Sequence, residues 1–155
     1  MNVAKTVYGS IDALEAGVGQ VAGQSPWVTV TQDMIDRFAD VTLDRQWIHV
    51  DVDRANRESP FGTPIAHGFL TLSLLSHLIA ETIAFPNAKL SINYGFERVR
   101  FVSPVPVGSA IAATFTLQDV TRNEQGAQIA WAVEVRARDA AKPALAAVWL
   151  SRVVM

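Results

Sequence analysis

Cysteine is missing from all 155 residues, so disulfides, thiolate nucleophiles and cysteine-based zinc sites are excluded. Charge is sparse as well: 18% of residues are charged and the net charge is −2, which leaves no general attraction for nucleic acid. Neither a glycine-rich phosphate loop nor a dinucleotide fingerprint occurs. The N-terminus lacks the basic-then-apolar pattern of a signal peptide, so a cytoplasmic location is expected. No run supplies the roughly 20 apolar residues that a bilayer crossing requires. The nearest, Gly68–Phe85, is interrupted by Thr71, Ser73, Ser76, His77, Glu81 and Thr82, and it reads as a buried core helix with no membrane role. The three histidines, His49, His67 and His77, show no i,i+4 spacing, and no metal site is expected.

What the chain does have is apolar mass. Half of its residues are hydrophobic, which argues against disorder and suits one domain over residues 1–155 with a substantial core. So high a fraction in a small chain also implies apolar surface covered by a second copy, that is, a homodimer.

Periodicity divides the chain into a helical half and a strand half. Thr31 suits the cap of a short helix, Gln32–Asp40, with Met34, Ile35 and Phe38 on one face. A helical piece is expected around Val52–Asn56, and a long helix over Ile65–Ala84 with Pro64 at its start. From Leu90 the period becomes two. Leu90, Ile92, Tyr94 and Phe96 alternate, then Val99 and Phe101 continue in the opposite phase, which predicts a β-bulge near Glu97-Arg98. Ile111–Leu117 and Ile129–Val135 alternate too, while Ala144–Val154 is apolar on both faces, as in a central strand. Asn123–Gly126 and Asp139–Pro143 are turn signals. With a short strand near Trp27–Val30, these elements make an α+β domain whose main strands form an antiparallel meander.

The chemistry concentrates in Thr42–His49. Asp44 and His49 stand five positions apart, a spacing that neither a helix nor a strand brings together, so one shared site requires an irregular turn pinned by Trp47 and Ile48. Such a pair can hold a water or substrate proton near neutral pH. Gln46 either hydrogen-bonds the turn backbone or orients the water or Asp44. Downstream, Gly68 opens the apolar helix, where backbone N–H groups lack intrahelical partners and a ligand can approach closely. An acid–base pair and an oxyanion donor together suit chemistry next to a carbonyl.

Asp44-x-Gln46-x-x-His49, Phe61-Gly62-x-Pro64-Ile65-Ala66-His67-Gly68, Ile92-Asn93-Tyr94-Gly95 and Val99-Arg100-Phe101-x-x-Pro104-Val105-Pro106-Val107-Gly108 together resemble the MaoC-like dehydratases. More narrowly they resemble the NodN-like branch, which includes (R)-specific enoyl-CoA hydratases. The resemblance runs from about Val18 to the C-terminus. It implies a hot-dog fold, in which an antiparallel sheet wraps one long helix, and subunits joined through their sheet edges. It also implies reversible hydration of trans-2-enoyl-CoA to (R)-3-hydroxyacyl-CoA, with Asp44 and His49 as the catalytic pair and the Gly68 N–H as oxyanion donor. Coenzyme A enters as part of the substrate, with no other cofactor. Ser76, Asn93 and Tyr94 then become substrate-binding candidates, and Arg98 and Arg100 either contact coenzyme A phosphates or carry solvated charge. The implied role of the imidazole at His67 is structural. A thioesterase of the same fold and a non-catalytic acyl-CoA-binding protein are the alternatives. The family usually has Gly where this chain has Leu43, and a working turn is expected to hold Leu43 in a backbone conformation open to L-residues.

Overall fold

Residues 4–155 are described by a computed structural model. The elements in chain order are β1 (Thr6–Val7), α1 (Ile11–Ala16), β2 (Val21–Gln24), β3 (Val28–Thr29), α2 (Gln32–Thr42), α3 (Trp47–Val50), α4 (Val52–Glu58), α5 (Gly68–Ser73), α6 (Leu75–Thr82), β4 (Ile83–Ala84), β5 (Leu90–Phe101), β6 (Ala110–Asn123), β7 (Gly126–Ala137) and β8 (Leu145–Val154). Among these residues no helix is long and apolar enough to cross a membrane.

The main sheet runs β2-β6-β7-β8-β5, with β3 also on β6. Strict alternation builds its inner face: Phe115 and Leu117 from β6, Ile129 and Trp131 from β7, and Trp149 from β8 are all buried. Leu70, Leu75 and Leu78 of the α5–α6 helix belong to the same core. Burying one large apolar side chain contributes about 1.5–3 kcal/mol, and this shared layer is what holds helix to sheet. The indole N–H of Trp131 donates to Ser151 Oγ at 3.1 Å, so the donor of this fully buried residue is paired.

Several sequence expectations stand and others shift. Thr31 caps α2 as expected, its hydroxyl accepting from the Met34 N–H at 3.2 Å. The helix expected over Ile65–Ala84 is shorter at both ends. Residues Pro64–Ala66 pair with Val105–Val107 instead: the Ala66 N–H donates to the Val105 carbonyl and the Val107 N–H to the Pro64 carbonyl. Helix starts only at Gly68, once those groups are satisfied elsewhere. At the other end Ile83–Ala84 joins Thr6–Val7 as a parallel pair, a partner too short to announce itself in sequence.

The meander is real for β6-β7-β8, but β5 does not lie beside β6. It pairs with β8 and forms the sheet edge. Its bulge falls between Phe96 and Arg98, as the phase slip predicted, and a second one falls between Asn93 and Gly95. At this edge Leu90, Ile92, Tyr94, Phe96 and Phe101 all remain 38–53% exposed in the single chain.

Leu43 overturns its expectation. It terminates α2 in the left-handed region, at φ 65° and ψ 11°. A helix end of this kind favours glycine, which explains why the resembling family usually has Gly here. The leucine side chain is 73% exposed and offsets the backbone cost with little packing. Left-handed backbone costs an L-residue about 1–2 kcal/mol, and glycine's extra unfolded-state entropy returns about 0.5–1 kcal/mol of any gain. Leu43→Gly is therefore expected to raise stability by up to about 1 kcal/mol, or about 2–4 °C in Tm for a chain of this size. Thermal unfolding checks this, and a lowered Tm would count against it.

Candidate functional site

The site begins where α2 ends. Thr42 Oγ1 donates back to the Phe38 carbonyl at 2.7 Å, and the left-handed Leu43 turns the chain so that Asp44–Gln46 runs extended across the end of the helix. The carboxylate of Asp44 accepts from the Gln46 N–H at 3.4 Å. It is thus the backbone of Gln46 that steadies Asp44. The Gln46 side chain is exposed and has no hydrogen bond among the described residues.

His49 follows on the single helical turn α3. The spacing predicted an irregular turn, and the answer is an extended link joined to one turn of helix. Trp47 and Ile48 are only half-buried, and Arg54 stacks over the Trp47 ring at 4.3 Å. His49 itself is buried. Its Nδ1 lies 2.7 Å from the Ile65 carbonyl oxygen. A carbonyl only accepts, so Nδ1 carries the proton and Nε2 presents a lone pair. Burial pushes the pKa of His49 below its ordinary value of 6.5; the Ile65 hydrogen bond opposes this, His67 adds to it, and Asp44 opposes it weakly. The ring is neutral at neutral pH and able to accept a proton.

Gly68 faces the same space. A cleft of about 240 Å³ is lined by His49, Gly68, Phe61, Ile65, Thr71 and Phe101, among others. A Cβ built on Gly68 would meet the Phe101 ring at 3.0 Å, so glycine is what permits that close packing. The N–H groups of Gly68 and Phe69 find no acceptor among the described residues, whereas those of Leu70 and Thr71 donate to the His67 carbonyl. The cleft therefore brings together a neutral imidazole, unpaired backbone donors and mostly apolar walls, with the Asp44 carboxylate within 4.8 Å of the imidazole.

His67 belongs to this cluster more closely than its sequence suggested. One potential ligand atom from each of Asp44, His49 and His67 lies within 4.8 Å of the others, although spacing alone gave no metal set. The donors do not fit an ion well. The two imidazole rings stack at 3.9 Å between centroids and 26° between planes, so their in-plane lone pairs run side by side and do not converge. Each ring also has one nitrogen committed to a backbone carbonyl.

The remaining candidates divide between the two faces of β5. Ser76 and Asn93 come together, with Asn93 Nδ2 donating to Ser76 Oγ at 3.4 Å, and both line a cleft of about 540 Å³ between α6 and the inner face of β5 and β8. Ser73, by contrast, bonds back to the Phe69 carbonyl, as serines on apolar helices often do. Arg98 and Arg100 pair across the ladder with Val148 and Ala146, which places both on the outer sheet face. There they line a groove of about 580 Å³ with Thr114, Thr116 and Glu134. That groove shares Val102 with the His49 cleft, so the two meet at the end of β5. Tyr94 sits at the second bulge with Arg152 over its ring at 3.4 Å, and it joins neither the His49 cleft nor the Ser76 cleft.

Comparison with known proteins agrees with the fold. Residues 14–139 match the family model described as "MaoC like domain". The chain is 46% identical over 150 residues to 3-hydroxyacyl-thioester dehydratase Z of Mycobacterium tuberculosis, covering 95% of this chain and 97% of that protein. It is also 46% identical over 144 residues to nodulation protein N of Rhizobium meliloti, covering 92% of this chain and 89% of that one. Among solved structures, an unliganded R-hydratase from Pseudomonas aeruginosa superposes with a TM-score of 0.76 at 24% identity, over 94% of this chain and 86% of that one. An (R)-hydratase from A. caviae superposes with a TM-score of 0.71 at 23% identity, over 87% and 95%. At such identity the structural likeness speaks for the fold, which is the hot-dog arrangement of sheet around helix.

Proposed function

The chain belongs to the MaoC-like dehydratase family of hydro-lyases, and from that premise we propose that it catalyses reversible hydration of a trans-2-enoyl-CoA to an (R)-3-hydroxyacyl-CoA. The observation that carries this reading is the His49 ring and the Gly68 N–H on one cleft, with the Asp44 carboxylate within 4.8 Å of the His49 imidazole. A water held between Asp44 and His49 adds its oxygen to C3. The proton it loses passes to the pair, and a proton returns from the pair to C2, so one water adds across one double bond. Charge developing on the thioester oxygen is met by the Gly68 N–H. The name of a relative 46% identical over nearly the whole chain, 3-hydroxyacyl-thioester dehydratase Z, supports the reaction class.

The rest of the substrate follows the clefts. The acyl chain extends along the seam between α5–α6 and β5 toward Ser76 and Asn93. The coenzyme rounds the end of β5 at Val102, and its phosphates reach Arg98 and Arg100. No cofactor takes part beyond the coenzyme A on the substrate, and the cytoplasm is the proposed location. The deciding experiment is incubation with crotonyl-CoA. Loss of enoyl absorbance without release of free thiol is expected, whereas thiol release would indicate a thioesterase and no reaction across acyl lengths a binding protein. Arg100→Ala is expected to raise KM several-fold for coenzyme A thioesters and to leave it unchanged for pantetheine thioesters, which lack the nucleotide phosphates. An equal change for both would remove Arg100 from phosphate binding.

The apolar edge of β5 supports a homodimer in which two copies join their sheets edge to edge. Solution scattering at micromolar concentration is expected to give twice the chain mass of 16.8 kDa. A monomeric mass would count against the edge as an interface.

A further inference from the structure

We infer that His67 is the positioning residue of this site, one side chain that fixes Asp44, His49 and the start of α5 relative to one another. The inference rests on the hydration reading above and goes beyond it, since the resemblance implied only a structural role for the His67 imidazole. His67 is 2% exposed. Its Nε2 lies 2.9 Å from the Asp44 carbonyl oxygen, which can only accept, so Nε2 carries the proton and His67 ties down the backbone of Asp44. Its ring stacks on His49 at 3.9 Å and leans on Phe38 of α2 at 5.1 Å. Its own carbonyl accepts from the Leu70 and Thr71 N–H groups, and the Gly68 and Phe69 N–H groups beside it find no acceptor among the described residues.

This explains how an exposed carboxylate can be placed. The Asp44 side chain has only the 3.4 Å contact from Gln46, and Leu43 before it is strained. The strong anchor is the main chain of Asp44, and His67 supplies it. The second ring nitrogen, Nδ1, is buried without a partner among the described residues. The titratable groups acting on the His49 ring are His67, from the segment before α5, and Asp44, from the loop after α2. His67 lowers the affinity of His49 for a proton, and Asp44 raises it.

The test reads turnover and imidazole state separately. In the wild-type protein, nitrogen-15 NMR is expected to show His49 protonated on Nδ1 and His67 on Nε2. His67→Phe keeps an aromatic ring but no donor. It is expected to lower kcat by roughly 10- to 100-fold with KM little changed, because a misplacement near 1 Å can cost about 10²-fold. His67→Gln restores a donor and should recover most of kcat. It also serves if the Phe variant does not fold. Equal activity loss in both variants, or a wild-type His67 protonated on Nδ1 instead of Nε2, would overturn the inference. A wild-type protein that hydrates no enoyl thioester would overturn the reaction assigned above, and the NMR would still decide the role of His67.

Discussion

Asp44→Asn and His49→Gln are each expected to lower kcat by at least about 10²-fold, the lower range of what a positioned acid or base contributes. Neither loss should come from unfolding. The Asp44 carboxylate is exposed and accepts one long hydrogen bond, while the backbone of Asp44 is held through its carbonyl. His49 is buried, and its Nδ1 bond to Ile65 helps fix α3 against the segment before α5. His49→Asn is therefore the cleaner companion, because an asparagine amide can keep that bond while removing Nε2. If the pair acts on one water as a unit, the double variant should be little worse than either single one. Near-normal turnover in any of these variants would remove the proposed mechanism.

The pH dependence follows from the same group. Burial holds the folded pKa of His49 below the unfolded value of 6.5. As pH falls below 6.5 the unfolded chain takes up this proton first, so the contribution of neutral His49 to stability, fully present above that pH, declines through the folded pKa. For kcat/KM the base is lost at the folded pKa, so the acid limb should lie below 6.5 in wild type. An acid limb above 6.5 would show that another group is being read.

The candidate site was legible in sequence wherever chemistry and spacing met in one short segment. Asp44 and His49 were drawn from a spacing with no regular-structure explanation and Gly68 from the opening of an apolar helix; the fold brings His49 and Gly68 to one cleft, with the Asp44 carboxylate within 4.8 Å of the His49 ring. The bulge at Glu97 was legible because a change of phase within an alternating strand has one cause. The order of the strands was not. Alternation tells which residues share a face and says nothing about which strand lies beside which, so β5 looked like a neighbour of β6 until its pairing with β8 was seen. The start of the α5 helix was hidden because the competition for backbone hydrogen bonds at Pro64–Ala66 comes from Val105–Val107, some forty residues away. Leu43 was misjudged for a related reason. A penalty against left-handed leucine is a local rule, and the surrounding site overrides it. His67 was undervalued because stacking on another imidazole and bonding a distant carbonyl leave no mark in spacing.

Gly68→Pro should show how much of the rate comes from a single backbone N–H. The position tolerates the change better than most. Gly68 is the first residue of α5, where proline is favoured because its missing N–H would have no intrahelical partner. The preceding His67 already has φ −58° and ψ 138°, the extended geometry that proline requires of its neighbour. What proline removes is the donor proposed to meet the thioester oxygen, and losing one such donor typically costs about 10²–10³ in kcat. Proline also adds a Cβ where the Phe101 ring lies 3.0 Å away. Gly68→Ala supplies the control, since it adds the same carbon and keeps the N–H. Phe101 is half exposed and can give way, so the alanine variant should lose far less activity than the proline variant, with a larger effect on KM than on kcat. Equal losses in the two variants would mean that crowding at Phe101 accounts for both, and Gly68 would then be a packing requirement of the cleft with no part in stabilising charge.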